Sequence, residues 1–432
     1  MQSPSSLRTG ESMAKVAVAS FIGTTIEFFD FYAYGLAAAL VLNKAFFPEL
    51  SDVAGILAAF STYAIAFAAR PVGAAIFGHF GDRVGRKSIL IVSLLMMGLS
   101  TALVGLLPGY ATLGVAAPIL LVLLRLVQGI GLGGEWGGAA LLATEHAPQG
   151  HRARWAMFPQ LGPAIGFILA NGSFLLARVA APDSFATFGW RIPFLVSFIL
   201  VLVGLWVRLS ITETPVFRRA AQAERLSRTP LAELIGNQWK RLLLGAGVMM
   251  IQYALFYTAT TYCLSYTTSV LEIDQTTMLI IVMLAVIMLG IATVVSSVLA
   301  DLIGRRRIVM IACSISIGWS LITFPLINTQ NHLLIWLALA GCLSLMGLSF
   351  GPMGAFLPEL FQTRYRYSGA ALAYSLGGVL GGALPPLIAV QLQASVGSFA
   401  VGVMLAVIAI ISLVCMSRLP ETRTADLDQV SA

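Results

Sequence analysis

Two acidic residues stand inside an otherwise apolar segment near the start of the chain. Glu27 and Asp30 are three residues apart, so both lie on one face of a helix, and Tyr34 continues that face. Glu27 lies well beyond Lys15, about 18 Å along a helix and therefore near mid-membrane. Two close carboxylates in a poorly solvated site disfavour double ionisation, so one of them can hold a proton. We interpret Asp30 as the proton carrier and Glu27 as its modulator; the alternative is a permanently paired acid that braces the helix.

Arg125 is a further charge inside an apolar segment and a natural partner for these acids. Its guanidinium can donate two parallel hydrogen bonds to a carboxylate, either of a bound substrate or of Asp30. A structural ion pair without substrate contact is the alternative. Arg70 is followed by Pro71, and we expect its side chain to extend towards the membrane surface.

Glu135 stands among glycines, with Gly133 and Gly134 before it and Gly137 and Gly138 after it. Small residues at this spacing let neighbouring helices approach closely, so tight packing explains the glycines. An acid within a membrane segment is costly, and its presence indicates a function. Glu135 is therefore a further candidate for a proton pathway.

The second half of the chain has no charge inside its apolar segments and offers polar and aromatic side chains instead. Pockets for small molecules are mostly apolar with a few orienting polar groups. An aromatic belt at the membrane surface is the alternative for the tyrosines. Together with Arg125, the predicted substrate-binding residues are Tyr34, Gln252, Tyr253, Tyr257 and Tyr374.

The composition indicates what kind of protein carries these residues. Hydrophobic residues make up 58% of the 432 residues and charged residues 10%, whereas about 25% of an ordinary soluble domain is charged. A helix needs about 20 apolar residues to cross a bilayer. The sequence predicts an all-α polytopic membrane protein with twelve spans, at about 15–42, 53–79, 88–107, 112–141, 154–177, 190–209, 241–268, 277–300, 308–326, 332–357, 367–391 and 397–417.

Basic residues are concentrated in alternate loops. Loops rich in arginine and lysine face the cytoplasm, which predicts cytoplasmic termini and a multi-pass protein of the inner membrane. This topology explains the net charge of +7 better than nucleic-acid binding does. The longest internal loop, 210–240, is predicted to separate an N-terminal six-helix bundle (1–209) from a C-terminal one (241–432).

The two halves repeat one another in these basic loops. Asp82 after the second span corresponds to Asp301 after the eighth, and Glu145 after the fourth corresponds to Glu359 after the tenth. Charge pairs among the loops could latch one face of the bundle in one state and break in another. Orientation by positive charge alone is the alternative, and it leaves Asp82 unexplained. The predicted gating residues are Gly78, Asp82, Arg83, Gly85, Arg86, Glu145, Arg152, Arg154, Asp301, Arg305, Glu359, Arg364 and Arg366.

Several motifs carry a family resemblance. The run GHFGDRVGRK at 78–87 resembles the signature loop of the major facilitator superfamily, and Arg125 followed by Gly129, Gly131 and Gly133 is similar to the fourth-helix pattern of that superfamily. The runs EFFDFY at 27–32 and GGEWGG at 133–138 resemble the metabolite:H⁺ symporters, which include shikimate, α-ketoglutarate and proline/betaine carriers. Ser297 departs from the signature in the second half. The resemblance implies two six-helix repeats and a monomeric carrier.

These observations predict a proton-coupled symporter that imports a small organic acid or zwitterion by alternating access. Its partners would be that substrate, protons and the lipid bilayer, without nucleic acid. We expect no enzymatic activity, cofactor or metal, because the histidines have no ligand spacing and no nucleophile motif occurs. A drug/proton antiporter, suggested by the run LGPAIG at 161–166, and a passive uniporter are the alternatives, and a sensor that binds without transport is a third.

Overall fold

A computed structural model of the chain describes residues 13–180, 182–222, 227, 229–425 and 427. Within these ranges the chain is helical, and it has twelve helices long and apolar enough to cross a membrane. The expected all-α architecture with twelve membrane helices is confirmed. The helices are α1 (Met13–Ala37), α2 (Leu57–Val84), α3 (Arg86–Leu106), α4 (Ala116–His146), α5 (Arg152–Ala180), α6 (Gly189–Leu209), α7 (Pro230–Ser269), α8 (Gln275–Ile303), α9 (Arg305–Ile327), α10 (His332–Glu359), α11 (Thr363–Ser395) and α12 (Ser398–Ser417).

Apolar side chains cover the outside of the bundle. Leu176, Val179 and Trp206 are more than 70% exposed, as expected for residues that contact lipid tails. Because lipid is as apolar as these side chains, close packing holds the helices together instead of burial from water. A Cβ at Gly133 would lie 2.1 Å from the carbonyl oxygen of Arg70, so α2 and α4 can touch here only through a glycine.

The halves meet along two matching pairs of helices. Helix α2 packs on α11, and α5 packs on α8. The loops after α2, α4, α6, α8 and α10 lie at one end of the bundle, which we call the basic face. The contact between the halves is closest at this face: a Cβ at Gly78 would lie 2.6 Å from the Cα of Ser368.

The link between α6 and α7 is shorter than the sequence suggested. It contains a short helix, Pro215–Gln222, and α7 begins at Pro230 instead of 241. The first turns of α7 carry polar residues, so the hydropathy of the sequence does not reveal them. A break in helical geometry at Gln238 separates these turns from the apolar part of the helix. Residues 1–12 of the predicted N-terminal bundle lie outside the described residues, as do the loop arginines at 225 and 228.

Candidate functional site

The two acids of α1 are both fully buried, although their surroundings differ. Asp30 accepts a hydrogen bond from the Ser197 hydroxyl of α6, and Arg125 is near enough to act on it electrostatically. Glu27 lies 3.6 Å from Arg70, measured from Oε1 to Nη2. That distance is too long for a hydrogen bond. Each of the two acids of α1 therefore has a buried arginine near it.

Arg70 is the site residue that sequence reasoning misjudged. The expectation that its side chain reaches the membrane surface is wrong, because Arg70 is only 1% exposed. Its guanidinium lies 5.4 Å from the ring centre of Phe67 and 5.6 Å from that of Tyr374 on α11. Among the described residues, none of its three nitrogens has a hydrogen-bond partner, and neither has either carboxylate oxygen of Glu27. This loosely paired guanidinium is free to bind another carboxylate.

Arg125 is fully buried in the first half, as Arg70 is. It donates to Gln128 on its own helix, and its guanidinium carbon lies 3.6 Å above the ring centre of Tyr34. The Tyr34 hydroxyl shares a hydrogen bond with Thr62. Neither Arg125 nor Tyr34 is among the residues that line the two cavities described next. Arg125 thus lies against the ring of Tyr34 and near Asp30.

An aromatic cavity of about 10 Å³ lies between the halves, with room for about one water molecule. Tyr32 of α1 stacks on Phe256 of α7 across it. Tyr374 stacks on Trp136 with 3.8 Å between ring centres and an angle of 3°. The structure gathers four of the predicted pocket residues here. The lining is Phe28, Tyr32, Pro163, Met249, Gln252, Tyr253, Phe256, Tyr257, Met346, Phe350 and Tyr374.

A larger vestibule of about 390 Å³ lies next to this cavity, on the side away from the basic face. Tyr32 lines both spaces, so its side chain lies between them. Thr260 and Thr261 line the vestibule from a π-helical segment of α7, Thr258–Tyr262. Such segments are frequent at functional sites. The larger open volume between the halves therefore lies on the side away from the basic face.

Glu135 forms a buried ion pair of its own. Both of its carboxylate oxygens accept from the guanidinium of Arg208 at the end of α6, and Ser93 donates to it at 2.9 Å. Sequence reasoning missed Arg208, although a single arginine one residue before the end of an apolar span was a readable signal. The structure therefore places Glu135 away from Arg125 and towards the basic face.

A network of charges closes the basic face, and Asp82 is at its centre. Its two oxygens accept from the backbone N–H groups of Tyr367 and Ser368 at 3.0 Å each, so it caps the start of the helical run in α11. Arg86 lies 3.4 Å from Glu145, and Glu145 lies 3.2 Å from Arg366 in the other half. Two contacts thus join the halves here: Asp82 caps a helix of the second half, and Glu145 forms an ion pair with Arg366.

The second half mirrors this arrangement. Asp301 accepts from the backbone N–H groups of Ala153 and Arg154 at 3.1 and 2.9 Å, and so caps α5. Arg305 lies 3.3 Å from Glu359, which lies 3.8 Å from Arg152. We call these two sets of contacts the reciprocal latch, because each aspartate caps a helix of the opposite half.

The remaining predicted gating residues lie around the latch. Gly85 has φ +122°, a conformation that strongly favours glycine, at the turn between α2 and α3. Arg83 contacts His79 on its own helix. Arg364 is largely exposed and lies 3.4 Å from Glu233. Among the described residues, these two arginines pair outside the latch carboxylates, whereas Arg154 joins the latch through its backbone N–H.

Two packed six-helix halves, with buried charges and an aromatic cavity between them, define a polytopic membrane protein of the transporter class. The chain belongs to the major facilitator superfamily, a family of non-enzymatic transport proteins, whose profile matches residues 20–386. The resemblance seen in the sequence motifs is confirmed.

Relatives cover nearly the whole chain. The inner membrane metabolite transport protein YhjE of Escherichia coli (strain K12) is 48% identical over 422 residues, which is 96% of each chain. The shikimate transporter of the same organism is 37% identical over 385 residues, 88% of this chain and 87% of its own. The solved proton:xylose symporter XylE superposes with a TM-score of 0.75 at 17% identity, covering 96% of this chain and 98% of its own. That likeness supports the fold.

Proposed function

We propose that this chain is a proton-coupled symporter that imports a small carboxylate-bearing metabolite, an organic acid or a zwitterion, by alternating access. The observation that carries the proposal is the pair of Glu27 and Arg70. Both groups are buried, lie 3.6 Å apart and have unused hydrogen-bonding atoms. Arg70 also lies against Tyr374, which lines the cavity between the halves. The 37% identity to a shikimate transporter supports an organic acid.

The geometry suggests how a proton and a substrate can be coupled. A guanidinium binds a carboxylate best through two parallel hydrogen bonds. While Glu27 is ionised, it competes with a substrate carboxylate for Arg70. Once Glu27 holds a proton, that competition ends and the substrate can take its place. Asp30, one turn nearer the vestibule, would carry the proton in from that side. Glu27, which takes the proton from Asp30, would modulate the hold of Arg70 on the substrate.

The reciprocal latch supports alternating access. We place the basic face in the cytoplasm, because arginine-rich loops are retained there, and this also places both termini in the cytoplasm of an inner-membrane protein. The latch then closes the cytoplasmic side, and the vestibule faces outward. Binding of substrate and proton would favour rocking of the halves, which breaks the latch and opens the cavity inward.

We expect Asp82→Asn to weaken the closed state of the basic face by about 1–3 kcal/mol, since a charge-assisted cap is lost. The measurement is alkylation of Thr144→Cys by an impermeant maleimide in inside-out vesicles, because Thr144 donates across the halves to Gly354. Labelling should rise by about 5-fold or more. Asp274→Asn is the matched control, since Asp274 caps its own helix at the other face. Equal labelling in both variants would refute the latch.

Tyr253→Ala should lower substrate affinity by about 3-fold to 10-fold, because aromatic contacts are worth about 0.5–1.5 kcal/mol beyond burial. Tyr253 stacks parallel to Tyr257 and meets Tyr374 edge-on at 5.3 Å, so it forms a wall of the cavity. The measurement is the KM of uptake. Tyr266→Ala is the control, since Tyr266 is similarly buried and bonds to Asn328 away from the cavity. An unchanged KM in Tyr253→Ala would remove this residue from the pocket.

The test of the proposed function is uptake into proteoliposomes of labelled shikimate, α-ketoglutarate, proline and glycine betaine, with and without an inward proton gradient. Accumulation that a protonophore abolishes would support symport and identify the substrate class. Equilibration without accumulation would indicate a uniporter. In a further arm with an outward proton gradient, uptake driven by that gradient would indicate an antiporter.

A further inference from the structure

The face of α1 that carries Glu27 continues towards the basic face and meets a second buried charge pair. Gly23 lies one helical turn below Glu27. A Cβ at Gly23 would lie 2.2 Å from Nη2 of Arg208 and 3.2 Å from Oε1 of Glu135. The missing side chain therefore lets the pair of Arg208 and Glu135 rest directly on α1. Asp30 and Glu27 on α1 and Glu135 on α4, beside Gly23, therefore follow one another towards the basic face.

The groups around Glu135 suit transfer of a proton from Glu27. Arg208 donates to both oxygens of Glu135 and is close enough to Glu27 to act on it electrostatically. Ser93 of α3 also donates to Glu135. From the second half, Tyr367 donates at 2.6 Å to the carbonyl of the residue before Glu135. Arg208 thus pairs with Glu135 and also acts electrostatically on Glu27.

A separate small cavity lies beside Arg208, on its side towards the basic face. It measures about 10 Å³, the room of about one water molecule. Its walls come from α3, α4 and the end of α6 with the residues just after it, so this cavity lies within the first half and apart from the cavity between the halves. The lining is Lys87, Leu90, Leu142, Arg208 and Ile211.

We infer that protons leave towards the basic face through the first half, by way of Glu135 and Arg208, whereas the substrate leaves between the halves. The proton on Glu27 passes to the carboxylate of Glu135. Arg208 then releases the neutral Glu135 and pairs with the newly ionised Glu27. Glu135 gives the proton to a water molecule that enters beside Arg208 from the small cavity, and then pairs with Arg208 again. This inference rests on the proposed proton coupling.

The inference predicts that net transport and substrate exchange can be separated. Glu135→Gln cannot take up a proton, so it should lose at least about 90% of protonophore-sensitive accumulation, and lumenal pyranine should report little proton entry. Exchange of internal for external substrate needs no net proton release and should stay within about 2-fold of wild type. Glu135→Asp should restore part of the accumulation, because it restores the carboxylate.

Removing one member of a buried ion pair leaves the other charge unpaired and destabilises the fold. The double variant Glu135→Gln with Arg208→Gln removes both charges and should show the same separation. Glu272→Gln, at an exposed position, is the control. Wild-type accumulation in the double variant, or loss of exchange along with accumulation, would overturn the inference. A wild-type chain that does not accumulate substrate would instead refute the proposed symport, so the two failures are distinguishable.

Discussion

Asp30→Asn should abolish proton-driven accumulation. With one proton per substrate molecule, an inward gradient of one pH unit supports about 10-fold accumulation in wild-type vesicles, because one pH unit corresponds to about 1.4 kcal/mol. The asparagine variant should equilibrate its substrate and stop at a ratio of about one. The measurement is the ratio of internal to external label at steady state, with and without a protonophore.

The structure explains why this variant should fold. Asparagine has the size of aspartate and can still accept the hydrogen bond from Ser197. It loses only the ability to carry a proton and the charge near Arg125. Asp183→Asn, at an exposed position, controls for the loss of a carboxylate. If Asp30→Asn accumulates substrate as the wild type does, Asp30 is a bracing acid and the proton must load elsewhere.

Arg70→Lys should reduce substrate affinity by about 30-fold or more. Loss of a buried, hydrogen-bonded charge contact costs about 2–5 kcal/mol, and lysine cannot reproduce the planar fork of arginine. The measurement is equilibrium binding of the labelled substrate by scintillation proximity in detergent, which does not depend on the proton gradient. This readout separates binding from coupling.

The competing interpretation is that Arg70 only neutralises Glu27. Lysine would keep a positive charge beside Glu27, so affinity would then stay close to that of the wild type. Arg307→Lys, at an exposed position of the basic face, is the matched control. An Arg70→Lys affinity equal to that of this control would remove Arg70 from the substrate site and return the role to Arg125.

The sequence was sufficient for the fold because its signals are long and repeated. Each span is an apolar run of membrane length, and the paired motifs around Asp82 and Asp301 reveal that the chain repeats itself. The same motifs also led to the gating residues. Their backbone contacts were not predicted, because a sequence shows charged side chains but not the free N–H groups at the start of a distant helix.

The sequence led to a wrong prediction for Arg70 and to none for Arg208, for the same reason. Each pairs with an acid on another helix, Glu27 and Glu135, so the pairing depends on which helices are neighbours. A basic residue in a membrane span can equally extend to the surface, and only the three-dimensional packing decides. Glu135 was recognised as a candidate, although its partner was not.

The reciprocal latch also links the conformational state to hydration. Closed, it covers the backbone N–H groups of Tyr367, Ser368, Ala153 and Arg154 with two carboxylates. When the latch opens, these N–H groups and both carboxylates must become hydrated, since buried polar groups left without partners are costly. Each opening of the basic face therefore takes up water molecules at the interface. Excluded osmolytes, which favour compact states, should shift the carrier towards the form in which the basic face is closed.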